Sequence, residues 1–157
     1  MLIKNYGLFW DRDKVYWGRR NSSASIKGFH SREKKRNIEF RAQQGIYALY
    51  DSAFNLVYIG QTGSGDQRLL KRLNQHRSDH LSQRWKYFSW FGLLRVLKTG
   101  ELSTTIEAAL VDIGDVMNHL EAISISIAEP RLNLQSGRWS DAGQYYQHDN
   151  SRPDKDD

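Results

Sequence analysis

The sequence predicts an α+β fold: a small antiparallel three-stranded sheet flanked by helices, with a β-hairpin extension at the N-terminus. Three observations support this fold class. Two strand-like strings, Gly-Ile-Tyr at 45–47 and Tyr-Ile-Gly at 58–60, stand eleven residues apart with a turn-like segment between them. An aromatic run at 87–96 indicates a third strand. Apolar residues then recur at helical spacing from 104 to 128.

The first two strands are predicted to form a hairpin around the turn at 51–54. Pairing Tyr50 with Asn55 places Tyr47 directly opposite Tyr58, with both hydroxyls on one side of the sheet. The other side then receives an apolar face made of Ile46, Ala48, Val57 and Ile59. Tyrosine favours strands in general, so two strand tyrosines are by themselves an ordinary feature.

Capping signals and spacing predict two helices. Ser64 followed three residues later by Gln67 has the pattern of a capping box, which predicts a helix running to about His80. The second helix covers 104–128, with a break near Gly114, and Pro130 marks its end. Its predicted core residues are Val116, Leu120, Ile123 and Ile127.

The 157 residues suffice for one domain with its own core. We expect a basic, aromatic extension at 1–43 packed on or beside the core, with a hairpin pairing 8–10 with 15–17. The predicted core domain spans 44–139, and a polar tail at 140–157 is predicted to be disordered. Cysteine is absent, which excludes disulfides and thiolate metal sites. Without a long apolar run or a phosphate-cradling glycine loop, we expect a cytoplasmic protein with no membrane partner and no small-molecule cofactor.

Charge is distributed unevenly along the chain. The net charge of +5 divides into +7 for residues 1–43, +5 for 44–100 and −7 for 101–157. A positive face of this kind can meet a polyanion such as DNA. The candidate nucleic-acid contacts are Arg19, Arg20, Lys34, Lys35, Arg36 and Arg68. A solvated loop or helix face explains the basic cluster at 32–36 equally well.

Both helices carry groups with potential chemistry. Glu121 has apolar neighbours four positions before it and four and seven after it, so its carboxylate must be paired, protonated or bound to a metal. Arg72 and His76 stand four residues apart on the first helix, a position where surface side chains are common. His76 and His80 have a spacing that can bind zinc, but no third ligand stands nearby, so a zinc site is not expected.

The order and spacing of these residues resemble the GIY-YIG nuclease family, and most closely its compact restriction-endonuclease branch. The resemblance covers roughly residues 44–135 and rests on the two tripeptides, Arg72, His76, Glu121, Pro130 and Asn133. The loop between Gly60 and Arg72 is longer than in the simplest members, so Arg68 is a weaker alternative to Arg72. Residues 1–43 and the tail have no counterpart in the family pattern.

The resemblance implies an endonuclease that hydrolyses a DNA phosphodiester in line and leaves 5′-phosphate and 3′-hydroxyl ends. It also implies one divalent cation, Mg²⁺ with Mn²⁺ as a substitute, held by Glu121. Arg72 suits the phosphate because its planar guanidinium stays charged and binds two oxygens at once. Mg²⁺ suits a single carboxylate because it keeps several waters.

The remaining roles follow from the same resemblance. Tyr47 would position and deprotonate the attacking water, although an ordinary tyrosine pKa of about 10 makes it a poor base unless cations lower it. Tyr58 or His76 would relay the proton or hold the phosphate. Asn133 would bond a phosphate oxygen or orient Glu121.

Three alternatives remain open from the sequence. The chain could be a non-cleaving nucleic-acid-binding module on the same fold, a nuclease acting on RNA or branched substrates, or an interaction protein without metal dependence. The oligomeric state is also open, since a homo-oligomer would cut both strands of a duplex whereas a single active site would nick one.

Overall fold

A computed structural model describes residues 2–20, 22–63, 65–107, 113–128, 139 and 142–152. Nine helices and strands follow one another along this part of the chain. They are β1 (Asn5–Asp11), β2 (Lys27–His30), β3 (Ile38–Glu39), β4 (Gly45–Tyr50), β5 (Leu56–Gln61), α1 (Leu69–Gln75), β6 (Tyr87–Gly92), α2 (Ile113–Ala128) and β7 (Gly143–Gln147). No helix within the described ranges is long and apolar enough to cross a membrane.

The strands form one mixed sheet in the order β3-β2-β7-β1-β6-β4-β5. The parallel pair is β1 with β7, and the other neighbours are antiparallel. The predicted α+β class is therefore confirmed, whereas the predicted size of the sheet is wrong, because seven strands are present instead of three. The three expected strands are β4, β5 and β6, with β4 in the middle, and β1 extends this set from the free side of β6.

The predicted N-terminal hairpin is wrong. Strand β1 pairs with β6 and β7 and so lies inside the sheet, while residues 15–17 contribute only an isolated bridge between Tyr16 and Ser25. The physical reason lies at Asp11, whose carboxylate accepts a 2.8 Å hydrogen bond from the Asp13 N–H and caps a 3₁₀ turn at Arg12–Lys14. That turn directs the chain away from β1. Residues 1–43 therefore contribute three strands, β1, β2 and β3, to the sheet.

The expectation of disorder from residue 140 onward is also wrong for the described part of the tail. Strand β7 lies between β1 and β2. The indole Nε1 of Trp10 donates to the Tyr145 carbonyl at 3.3 Å, and the amide of Gln147 donates to the Asp11 carbonyl at 2.8 Å. A polar strand is stable at this position because its backbone groups are paired on both sides.

The β4–β5 hairpin has a register two residues away from the predicted one. Tyr47 lies opposite Gly60, and Leu49 lies opposite Tyr58. The cause is an irregularity after Leu49 together with a longer loop, in which the Asp51 carboxylate accepts bonds from backbone N–H groups and Phe54 has a φ of 64°. A shift of two preserves the face of every side chain, so both tyrosines still lie on one side.

The two faces of β4 are covered by different helices. Tyr47 and Leu49 belong to one apolar cluster with Leu69 and Leu73 of α1. Alternate residues of the strand belong to a second cluster, which includes Ile127 of α2. The helices thus pack on opposite faces of the sheet. The predicted apolar face is only partly correct: Ala48 is buried, but Ile59 is 52% exposed, and Val57 packs against the cluster that contains Tyr47.

The helix boundaries differ from the predicted ones. Helix α1 begins at Leu69 without a side-chain cap, because the carbonyls of Gln43 and Arg41 accept hydrogen bonds from its first N–H groups. Ser64 lies outside the described residues. The described residues at 104–107 are not helical, and α2 begins at Ile113. Of its four predicted core residues, Ile127 is buried and Ile123 is half-buried, whereas Val116 and Leu120 are exposed.

Candidate active site

A chain of polar contacts links β4 to the end of α1. The Tyr47 hydroxyl lies 2.8 Å from Nε2 of His76, and Nδ1 of His76 lies 2.7 Å from Oδ2 of Asp79. Tyr47 and His76 are buried, while Asp79 is half-buried. The indole of Trp85 donates to the His76 carbonyl at 3.0 Å and fixes the end of the helix. Asp79 is not among the residues predicted from the sequence, so it was missed.

The carboxylate of Asp79 determines which nitrogen of His76 is protonated. Because the ionised carboxylate can only accept a hydrogen bond, His76 carries its proton on Nδ1. Its Nε2 then presents a free lone pair to the Tyr47 hydroxyl. Burial by itself raises the pKa of Asp79, but the Leu81 N–H and His76 outweigh it and hold that pKa below its usual range. Asp79 is therefore ionised at neutral pH and can stabilise a positive charge on the imidazole.

The glycines of the two tripeptides have a steric role here. A Cβ on Gly60 would meet Cε1 of Tyr58 at 2.7 Å, and Cζ and the hydroxyl of Tyr47 even more closely. The Tyr47 ring therefore crosses the backbone at Gly60, where the missing side chain leaves room. Gly45 has a φ of 153°, and a Cβ there would collide with the Phe91 carbonyl of β6.

The two phenols differ in access to solvent. Tyr47 is 0% exposed, whereas Tyr58 is half-buried. Their ring centroids lie 6.2 Å apart, and the Tyr58 centroid is 4.9 Å from that of His76. Burial raises the pKa of Tyr47, the charge and hydrogen bonding of Arg72 oppose this increase, and Tyr58 adds to it. Tyr47 is thus a protonated phenol inside the cluster, and Tyr58 is the phenol that solvent can reach.

Arg72 of α1 supplies positive charge beside Tyr47, and Arg68 stands at the N-cap of the same helix. Nη1 of Arg72 donates to Oε1 of Gln75 at 2.7 Å, and Gln75 in turn donates to Gln67 at 3.1 Å. Within the described ranges, Nε of Arg72 and Nη1 of Arg68 are buried without a hydrogen-bond acceptor. Buried donors of this kind are costly unless a ligand satisfies them. A phosphate oxygen is a suitable acceptor, so both predicted arginines remain candidates.

The structure does not bring Glu121 to this cluster. Helix α2 packs on the opposite face of the sheet, and Glu121 is exposed, whereas the next residue, Ala122, is 0% exposed. Of the apolar neighbours predicted for Glu121, Met117 is 61% exposed, Ala128 is exposed and Ile125 is half-buried. Asn133 lies outside the described residues. Tyr47, Tyr58, Arg72 and His76 are therefore the predicted catalytic residues that come together.

The side chains around Tyr47 do not form a metal site with Glu121, because Glu121 lies on the opposite face of the sheet. Asp79 is the carboxylate of the cluster, and its two oxygens already accept bonds from His76 and from the Leu81 N–H. No group of three or more His, Cys, Asp or Glu side chains in the described residues is arranged to hold a metal ion. The requirement for Mg²⁺ stays a prediction.

The predicted nucleic-acid contacts lie mainly on the surface. Arg19, Arg20, Lys34 and Lys35 are exposed. Arg36 is half-buried, donates to the Lys98 carbonyl and pairs with Glu33 at 3.5 Å. Of these described residues, only Arg68 has a buried guanidinium nitrogen without a hydrogen-bond acceptor. Arg68 stands at the N-cap of α1.

No protein-family model, curated protein or solved structure matches this chain.

Proposed function

We propose that this protein is a GIY-YIG-type endonuclease that hydrolyses DNA phosphodiester bonds in line and leaves 5′-phosphate and 3′-hydroxyl ends. The resemblance adds a requirement for Mg²⁺, which Mn²⁺ would replace. The observation that carries the proposal is the convergence of Tyr47, Tyr58, Arg72 and His76. These side chains come from β4, β5 and α1 and contact one another in a single cluster.

Positive charge for the phosphate comes from α1. In-line attack by water builds negative charge on the nonbridging oxygens of the phosphodiester, and preorganised cations stabilise that charge. The unused buried donors of Arg72 and Arg68 suit this task, because an incoming phosphate oxygen satisfies them. The attacking water oxygen bonds to phosphorus as the bond to the 3′ oxygen breaks, and that oxygen takes a proton from solvent.

Proton removal from the attacking water is assigned to the tyrosine–histidine chain. Tyr58 is the phenol with access to solvent, so we assign it to accept a hydrogen bond from the attacking water. Since Tyr47 is fully buried and has a raised pKa, it acts as a relay that never accumulates as phenolate. The proton arrives at Nε2 of His76, and the charge of Asp79 stabilises the resulting imidazolium. This assignment differs from the sequence-based one, in which Tyr47 itself contacts the water.

A second function, a nucleic-acid-binding module that does not cut, is favoured by one observation. Glu121, the metal ligand implied by the resemblance, is exposed on the opposite side of the sheet from the tyrosines. A binding module needs no metal ligand, so it is compatible with this position. The two functions share salt-sensitive affinity for nucleic acid and differ in product formation.

The test is cleavage of supercoiled plasmid by the purified protein in Mg²⁺, in Mn²⁺ and in EDTA. We expect nicked or linear DNA with metal, and about a 10²–10³-fold slower reaction for Arg72→Gln, from the loss of one charge at the phosphate. Arg84→Gln is the matched control, because Arg84 is exposed and lines a different surface pocket with Asp51 and Val57.

Three outcomes contradict the proposal in different ways. Plasmid that stays intact while salt-sensitive binding persists would favour the binding module. Intact plasmid together with cleaved RNA or branched DNA would change the substrate class. Equal rates for Arg72→Gln and the wild type would mean that the tyrosine cluster is not the active site.

A further inference from the structure

A second concentration of positive charge lies outside the tyrosine cluster. An open pocket of about 460 Å³ is lined by the side chains of three arginines, Arg12, Arg19 and Arg77, with Trp17 and Tyr16 forming part of its wall. Of these three arginines, only Arg19 is among the nucleic-acid contacts predicted from the sequence. They come from the turn after β1, the following loop and the segment that continues from α1, so the fold brings together charges that are distant in sequence.

Two of the arginines are held in place by stacking on tryptophans. Cζ of Arg77 lies 4.4 Å from the ring centroid of Trp17, and Cζ of Arg12 lies 4.4 Å from that of Trp85. The two indoles touch edge to face at 6.3 Å, and Trp17 donates to the Arg12 carbonyl at 3.1 Å. Stacking of this kind fixes a guanidinium plane without consuming its N–H donors.

Hydrogen bonds complete the arrangement and leave donors free. Nη1 of Arg12 donates to the carbonyls of Ser82 and Trp85, at 2.7 and 3.2 Å, and Nη1 of Arg77 donates to Oδ1 of Asn74 at 2.9 Å. Within the described part of the chain, both guanidiniums form their hydrogen bonds through Nη1 alone. Their other nitrogens are available to an anion.

The charges in the pocket are only partly compensated. Burial lowers the pKa of Arg12, the neighbouring Arg77 lowers it further, and Asp13 acts in the opposite direction. The Asp13 carboxylate lines the same pocket but is engaged by Lys86, which also binds Asp11 at 2.8 Å. Like charges held close together raise the free energy of the empty pocket, and an anion relieves this repulsion.

We propose that this pocket, formed by Arg12, Arg19 and Arg77, is a binding site for a backbone phosphate of the nucleic acid. The inference rests on the proposed function, since it assigns the pocket to the same substrate. Its position supports the assignment: Arg77 directly follows His76, and Trp85 contacts both the His76 carbonyl and the Arg12 guanidinium. A strand bound at the tyrosine cluster therefore passes close to the pocket, which holds a second phosphate and sets the register of the strand.

The test measures binding of a fluorescein-labelled 20-base-pair DNA duplex by anisotropy, in EDTA so that no metal-dependent cleavage occurs. Affinity is recorded at several salt concentrations for the wild type, Arg77→Gln, Arg19→Gln and Arg84→Gln. Arg77 and Arg19 are exposed, so their replacement leaves the core intact, and thermal unfolding of each variant checks this. Arg84→Gln removes the same charge at a different pocket.

We expect Arg77→Gln to weaken binding about fivefold near 0.1 M salt and to reduce the slope of log K against log salt by about 1, with a similar effect for Arg19→Gln. The control should retain the wild-type slope. If both pocket variants keep the wild-type slope and affinity, the phosphate site is refuted while the nuclease proposal stands. If the wild type itself fails to bind DNA at low salt, the proposed function and this inference fall together.

Discussion

Replacing Gly60 with alanine should separate catalysis from folding. The new Cβ would lie 2.7 Å from Cε1 of Tyr58 and closer still to the Tyr47 hydroxyl, whereas ordinary contacts begin at 3.4 Å. The Tyr47 phenol must therefore retreat by about 1 Å, which breaks its 2.8 Å contact with His76. A displacement of about 1 Å at a reacting group costs about 10²-fold in rate.

The same change should affect stability only moderately. Inserting one methyl group into a packed interior costs about 1–3 kcal/mol, which lowers the melting temperature of a chain of this length by about 2–12 °C. Single-turnover plasmid cleavage at 25 °C, well below the melting transition, then isolates the chemical effect. We expect Gly60→Ala to be folded at this temperature and about 10²-fold slower than the wild type.

Gly65→Ala is the matched control for this experiment. Gly65 has a φ of 64°, so alanine there is strained by about 1 kcal/mol, but nothing lies within 4 Å of the added Cβ. This variant should lose some stability and keep the wild-type cleavage rate. A Gly60→Ala protein that cleaves as fast as the Gly65→Ala control would refute the reasoning that the position of Tyr47 governs the reaction.

Three further predictions follow from the polar contacts. Asp79→Asn should slow cleavage by about 10²–10⁴-fold and leave DNA affinity unchanged, because a neutral amide no longer stabilises charge on His76; single-turnover rates and anisotropy check this. Gln43→Ala should cost about 2–4 kcal/mol of unfolding free energy in urea, since four hydrogen bonds of that amide are lost, three of them buried. Gln44→Ala is its control. Burial raises the pKa of Tyr50 to about 12, so the neutral phenol is favoured in the fold; its stabilising contribution is complete below about pH 10 and is lost as pH rises towards 12. Urea unfolding at pH 9 and pH 11 should show this loss, and Tyr50→Phe should reduce it.

The sequence predicted the two strands of the central hairpin, though not their register, because a short tripeptide marks each strand. Glycine at 45 and 60 is required by close approaches of neighbouring groups, and these two positions define the tripeptides that identify the strands. Arg72 and His76 stand one helical turn apart, so their common direction follows from helical geometry. The third strand was predicted because its aromatic composition is typical of buried strands.

Features that depend on long-range pairing were not predicted. The register of the hairpin is displaced by an irregularity after Leu49, which no local pattern marks. Strand β7 carries no apolar alternation, and its stability comes from backbone pairing with β1 and β2, which are more than 100 residues earlier in the chain. The pocket beside Trp17 likewise joins arginines from three separate segments.

Which residues of helix α2 are buried could also not be predicted from the sequence. The sequence has more apolar residues on this helix than one face can bury, so spacing alone does not say which of them point inward. The structure buries His119, Ala122, Ser126 and Ile127 and leaves Val116, Met117 and Leu120 outside. This choice also decides that Glu121 faces solvent.

The most direct test of the central claim is the single-turnover rate of DNA cleavage by Tyr47→Phe. The substitution removes one hydroxyl from a side chain that is 0% exposed, so it leaves the surface that contacts DNA unchanged. The relay from Tyr58 through Tyr47 to His76 predicts a rate about 10²–10⁴-fold below that of the wild type, with unaltered DNA affinity. A Tyr47→Phe protein that cleaves DNA at the wild-type rate would contradict the assignment of this buried cluster as the catalytic centre.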